Sequence, residues 1–115
     1  MKQSTKTEVM AITVVAIISI ISLIYYINSN GNHNQDVIEC IASKSTLYVS
    51  KTCGHCAHQK EILGDSLDLF NIVDCSEKPE QCQLNEILYV PTWVIDDKKA
   101  SGVKTIEQLK DLTGC

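Results

Sequence analysis

The segment Thr46 to Leu63 reads TLYVSKTCGHCAHQKEIL and changes character half-way along. Thr46 to Ser50 is short and rich in β-branched and aromatic residues, the composition of a strand. Cys53-Gly54-His55-Cys56 follows at once and opens a helical stretch that Gly64 stops. A strand running straight into a helix, with two cysteines at the junction, puts both sulfurs beside the free amides of a helix N-terminus.

Reading outward toward the C-terminus, Phe70 to Asp74 is a second strand. Pro79 suits the first turn of a helix whose Leu84, Ile87 and Leu88 share one face. Val90-Pro91 interrupts, and Thr92 to Ile95 is a third strand. Asp96 to Lys99 turns the chain into a short fourth strand that ends near Gly102. Thr105 and Gln108 form a capping box, Ile106, Leu109 and Leu112 face the core, and Gly114 ends the last helix. Reading outward toward the N-terminus, Asp36 with Glu39 opens a two-turn helix that buries Val37, Ile38, Ile41 and Ala42. The order is α-β-α-β-α-β-β-α. Strands joined through a helix run parallel by a right-handed crossover, and the last two form a hairpin. The expected architecture is an α/β thioredoxin-like fold: a four-stranded mixed sheet with flanking helices, near minimum size.

This domain, residues 36–115, holds all six cysteines of a chain of 115 residues. A core of that size is modest and gains from covalent staples. Basic residues number ten, all lysine, against fourteen acidic ones, for a net charge of −4. Without arginine and with that charge, a nucleic-acid binder is excluded.

Ahead of the domain, Val9 to Ile27 is an uncharged run (VMAITVVAIISIISLIYYI) of a length that crosses a bilayer, roughly 20 residues. It exceeds a signal-peptide core of about 15 residues, and no small-x-small cleavage site follows it. Tyr25 and Tyr26 suit the headgroup level. Lys2 and Lys6 precede the run and no lysine follows until Lys44, so residues 1–8 are expected in the cytoplasm. Residues 9–27 are read as an uncleaved transmembrane signal anchor. Residues 28–35 (NSNGNHNQ), His33 among them, are read as a flexible polar linker. Residues 36–115 then lie outside the cytosol: periplasm, cell surface or endoplasmic-reticulum lumen.

In such a compartment Cys-x-x-Cys is a redox pair, half of a metal site or a static disulfide. Haem attachment needs His directly after the second cysteine, where Ala57 stands. Cys75-x6-Cys82 is not the usual second half of a zinc site, even with His55 and His58 nearby. The strand-to-helix context favours redox chemistry, with neither metal nor cofactor. The helix N-terminus stabilises a Cys53 thiolate, and protonated His55 adds positive charge beside it. A stabilised Cys53 thiolate is a good leaving group and makes the disulfide more oxidising.

Cys53-Gly54-His55-Cys56 is the tetrapeptide of protein disulfide isomerases, and Val90-Pro91-Thr92-Trp93 resembles the cis-proline loop of thioredoxin-like proteins. CGHCAHQKEILG, the VDC of Val73–Cys75, PTW and SGVKTIEQL together resemble one subgroup, across roughly residues 45–114. That subgroup is the thioredoxin-like domain fused to, or partnered with, bacterial and archaeal homologues of vitamin K epoxide reductase. The resemblance implies that Cys53 exchanges with substrate and that Cys56 is the buried resolving partner. It also implies that Pro91 is cis against the pair, that the Val90 backbone pairs with an extended substrate, and that Gly54 and His55 support the site. Trp93 reads as core.

Two departures stand out. Leu47 replaces the buried carboxylate found six residues before the first cysteine, which removes the usual proton acceptor for Cys56. Thr52 replaces the usual aromatic residue. Glu61 reads as a surface charge more readily than as a substitute relay.

The subgroup carries a cysteine pair near Cys75 and Cys82, which implies a local disulfide there; a redox relay with the active pair is the sharper alternative. Cys40 and Cys115 are then left to pair, by elimination among fifteen possible pairings. A free Cys115 acting as an intermolecular shuttle is the rival. The resulting expectation is a membrane-anchored thiol–disulfide oxidoreductase, taking electrons from cysteine-containing proteins and reoxidised by a quinone-linked partner of the vitamin K epoxide reductase type. The alternatives are an extracytoplasmic reductant and a metal-binding or structural module.

Overall fold

The computed structural model describes residues 2–115, apart from the side chains of residues 2–4 and 30–33. The chain divides into two compact units, Met1–Gln35 and Asp36–Cys115.

Helix α1 runs over Lys2–Lys44. The side chains of Val9 to Ile27 along it are exposed, and the helix is long and apolar enough to cross a membrane. Residues 28–35, expected as a flexible linker, are helical backbone instead. No proline interrupts residues 2–44, and extending a formed helix through Asn and Gly costs under about 1 kcal/mol per residue. Asp36 is consequently interior to α1 rather than its cap. The side chain of His33 lies outside the described set.

In the second unit, β1 (Ser45–Val49), β2 (Asn71–Asp74), β3 (Thr92–Ile95) and β4 (Lys98–Ser101) form one sheet in the order β2-β1-β3-β4. β1 pairs with β2 in parallel, Thr46 opposite Asn71, and with β3 antiparallel, Leu47 opposite Trp93. β3 and β4 form the hairpin, turning at Asp96 and Asp97 with φ of 48° and 62°. Asp tolerates that left-handed backbone better than most side chains. This is a four-stranded mixed sheet with the parallel β1–β2 pair and the β3–β4 hairpin expected from the order of elements.

The crossover from β1 to β2 passes through α2 (Gly54–Leu63) and a 3₁₀ turn, Gly64–Leu69. Gly64 ends α2 at φ 52°. Ile41, Leu47, Val49, Trp93 and Leu109 are fully buried in the main core, where Phe70 meets Trp93 edge to face at 5.6 Å. Helix α4 (Ile106–Thr113) begins with the Thr105–Gln108 capping box and ends at Gly114 in the left-handed region. Leu112, expected in the core, is exposed on it, and Thr113, one turn after Leu109, is buried in its stead.

Helix α3 covers only Pro79–Leu84. The Asn85 side chain donates back to the Gln81 carbonyl at 2.8 Å, and Glu86 turns to φ 51°. The helical face expected through Leu84, Ile87 and Leu88 is therefore broken. Ile87 packs beside Tyr48, Val73 and Cys82, whereas Leu84 and Leu88 are exposed.

Candidate active site

β1 ends at Val49, and the Cys53 N–H closes a turn onto the Ser50 carbonyl at 3.3 Å. Cys53 then caps α2 with extended backbone, φ −96° and ψ 112°. Its Sγ accepts the Cys56 N–H at 3.1 Å, taking the part usually played by a Ser or Asp oxygen. The amide is one that the helix cannot satisfy itself. A negative charge on Cys53 is thus met by an N–H and by the positive end of the helix dipole.

Cys53 and Cys56 are joined as a disulfide, Cα atoms 5.2 Å apart. Cys53 is half-buried, whereas Cys56 is 1% exposed. Only one sulfur of the pair is open to an incoming thiol. Gly54 and His55, between them, are exposed.

The loop before β3 closes over the pair. Val90–Pro91 is a cis peptide, Pro91 is fully buried, and the Val90 carbonyl oxygen is 3.6 Å from Cys53 Sγ. The loop is held by the Thr92 hydroxyl donating to the Tyr89 carbonyl at 2.6 Å and the Gly102 N–H donating to Pro91 O at 2.8 Å. Leu84, Leu88 and Tyr89, at 83, 82 and 72% exposure, are the most exposed large apolar side chains of residues 36–115, and they lead into this loop.

Leu47 is fully buried in the core that contains Cys56. Among the described residues, Ser45, Gln59, Thr92 and Thr113 are buried polar side chains, and no carboxylate, histidine or lysine is buried. Glu61 is at the surface, with an oxygen 3.5 Å from His58 Nδ1. Lys51, two residues ahead of Cys53, pairs with Glu77, and that carboxylate raises its ammonium above the ordinary lysine value.

Gln59 is the residue that sequence reasoning passed over. It is completely buried; its Oε1 accepts from Trp93 Nε1 at 3.0 Å and from the Lys104 N–H at 2.7 Å. Its Nε2 donates to the Lys104 carbonyl at 3.0 Å. The available signal was its phase, since Cys56, Gln59 and Leu63 lie on one face of α2 and all are buried.

The structure also joins Cys75 to Cys82, with Cα atoms 5.7 Å apart, and Cys40 to Cys115, with Cα atoms 6.0 Å apart. The first lies beside Tyr48, Val73 and Ile87, and the second fastens the last residue to the final turns of α1.

No protein-family model matches the chain. It is similar to the thiol-disulfide oxidoreductase LTO1 of Arabidopsis thaliana, at 31% identity over 59% of this chain. The match spans 20% of that protein's length. Among solved structures it is similar to the N-terminal domain of the alkylhydroperoxide reductase AhpF from Enterococcus faecalis. There the TM-score is 0.48 and the identity 23%, covering 67% of this chain and 42% of that one.

Proposed function

We propose that residues 36–115 are the working domain of a thiol–disulfide oxidoreductase, anchored in a membrane by Val9–Ile27 and acting outside the cytosol. One observation carries this reading: Cys53 is the accessible sulfur and receives an amide of its own helix, while its partner Cys56 is sealed in the core.

A substrate thiolate attacks Cys53 Sγ, the Cys53–Cys56 bond breaks, and Cys56 leaves as a thiolate that takes up a proton. A second substrate thiolate attacks the substrate sulfur of the mixed disulfide and expels Cys53 as the thiolate that α2 stabilises. Two electrons have then passed to the protein, and the substrate carries a new disulfide. The exposed apolar side chains of Leu84, Leu88 and Tyr89, ahead of Val90, suit a polypeptide substrate in an extended, unfolded state. Reoxidation falls to a quinone-linked membrane protein of the vitamin K epoxide reductase type, the expectation carried by the sequence resemblance. An anchor in the same membrane would raise the effective concentration of such a partner.

The test is trapping in membranes with the full chain. Cys56→Ser is expected to accumulate mixed disulfides through Cys53 with exported proteins and with a membrane partner, and Cys53→Ser to accumulate none. If Cys56→Ser captures nothing, the reading fails. A reduction potential near about −180 mV or above fits the oxidising direction, and one near about −270 mV reverses it.

A further inference from the structure

We propose that Gln59 is a positioning residue for the redox pair: its buried amide clamps α2 to β3 and so sets how Cys53 meets the Val90–Pro91 loop. The inference rests on the thiol–disulfide reading of Cys53 and Cys56, and deepens it.

The two halves of the site come from different elements. Cys53 and Cys56 belong to the N-terminus of α2, while Val90 and Pro91 precede β3. Cys53 Sγ and Val90 O are 3.6 Å apart, in contact, so a small slide of α2 against β3 would shift Cys53 relative to a substrate lying along the Val90 main chain. Among the described residues, Gln59 Oε1 to Trp93 Nε1 is the only side-chain hydrogen bond between α2 and β3. It lies three residues after Cys56 and two after Pro91, close to the reacting groups on both elements.

The same amide grips the Lys104 backbone through both its N–H and its carbonyl. That second attachment fixes the segment just ahead of the Thr105 cap of α4. An apolar residue of equal size would fill the space and leave the buried Trp93 N–H and the part-buried Lys104 backbone groups without these partners, the arrangement proteins avoid. Directional bonds at a fully buried position define a register that apolar packing alone would leave loose.

The experiment compares the full chain in detergent micelles as wild type, Gln59→Met and Trp93→Phe. Each disulfide form is reduced by an excess of a single-cysteine peptide, which ends as the peptide disulfide, and by dithiothreitol, which ends as its cyclic disulfide. A peptide needs Cys53 and the Val90 main chain in register, whereas the small dithiol needs only the Cys53 sulfur. Gln59→Met is expected to lower the peptide rate constant at least fivefold relative to that for dithiothreitol. Trp93→Phe, which removes one bond and keeps an aromatic ring, should move the ratio the same way by a smaller factor. If Gln59→Met does not fold, Trp93→Phe decides alone. A peptide-to-dithiol ratio within twofold of wild type, with only the thermal midpoint lowered, overturns the proposal and makes Gln59 a core residue. Wild type inert toward both reductants defeats the oxidoreductase reading itself, a result distinguishable from the first.

Discussion

The carbonyl oxygen of Val90 stands 3.6 Å from the Sγ of Cys53, and these two residues lie 37 positions apart in the chain. Val90 precedes the fully buried Pro91 and packs against both hydrophobic clusters, one containing Cys56 and the other Cys82. On the proposed reading, a peptide whose cysteine reaches Cys53 would pass along the Val90 main chain.

That relationship predicts main-chain dependence of exchange. A cysteine peptide methylated on the backbone nitrogen beside its cysteine should react about two- to tenfold more slowly than its parent, the loss of one hydrogen bond of roughly 0.5–1.5 kcal/mol. The rate with dithiothreitol is the internal control. Equal rates for the two peptides would remove Val90 from substrate recognition.

The two outlying disulfides should differ in what they contribute to stability. Cys40–Cys115 closes 75 residues and Cys75–Cys82 closes 7. On the chain-entropy account these loops correspond to about 4.5 and about 2.5 kcal/mol. Cys40→Ala with Cys115→Ala should thus lower the unfolding free energy of the full chain in micelles by more than Cys75→Ala with Cys82→Ala. Chemical denaturation with the Cys53–Cys56 pair oxidised measures both, and the reverse order would contradict the assignment of Cys40–Cys115 as the main staple.

Glu77 raises the Lys51 pKa, and the sign of the consequence follows from that direction. A lysine whose folded-state pKa lies above its unfolded value stabilises the fold at pH below the unfolded value of about 10.4, and the contribution fades as pH rises through the raised value. Both side chains are more than half exposed, so the effect is small and screened by salt. The unfolding midpoints of wild type and Glu77→Gln should differ slightly at about pH 9 in low salt and converge at higher pH. A gap that widens above that range would mean that the pair acts through something other than the Lys51 charge.

The junction between β1 and α2 was legible because strand composition, the CxxC spacing and Gly64 all point one way over few residues. The Thr105–Gln108 box and Gly114 were legible for the same reason: each cap is a local arrangement. What escaped depends on competition between local and distant terms. Leu84, Ile87 and Leu88 have helical spacing, but Asn85 turns its side chain onto Gln81 and leaves only Ile87 with a core to enter. Residues 28–35 look like a tether by composition, yet nothing in them forbids the helix that precedes them from continuing. Gln59 resembles any polar residue on a surface helix until its phase with Cys56 and Leu63 is set against the tertiary partners Trp93 and Lys104.

Leu47 and Gln59 together determine how the redox reaction should couple to protons. With Leu47 in the core and Gln59 bonded through both ends of its amide, no carboxylate, histidine or lysine is buried among the described residues. Reduction of Cys53–Cys56 then takes up protons only on the two thiols. Below the pKa of Cys53 two electrons travel with two protons, and the potential should fall by about 59 mV per pH unit; above it one proton travels, and the slope should halve to about 30 mV. One break is expected, below the ordinary thiol value of about 8.5, because the Cys56 amide and the α2 dipole favour the thiolate. The potential of the full chain, equilibrated with glutathione or dithiothreitol from about pH 5 to 9, traces the curve. The measurement is repeated with His55→Ala, which removes the exposed imidazole two positions after Cys53. A second break that survives this substitution would reveal a proton acceptor coupled to Cys56 and contradict the apolar character that Leu47 gives the site.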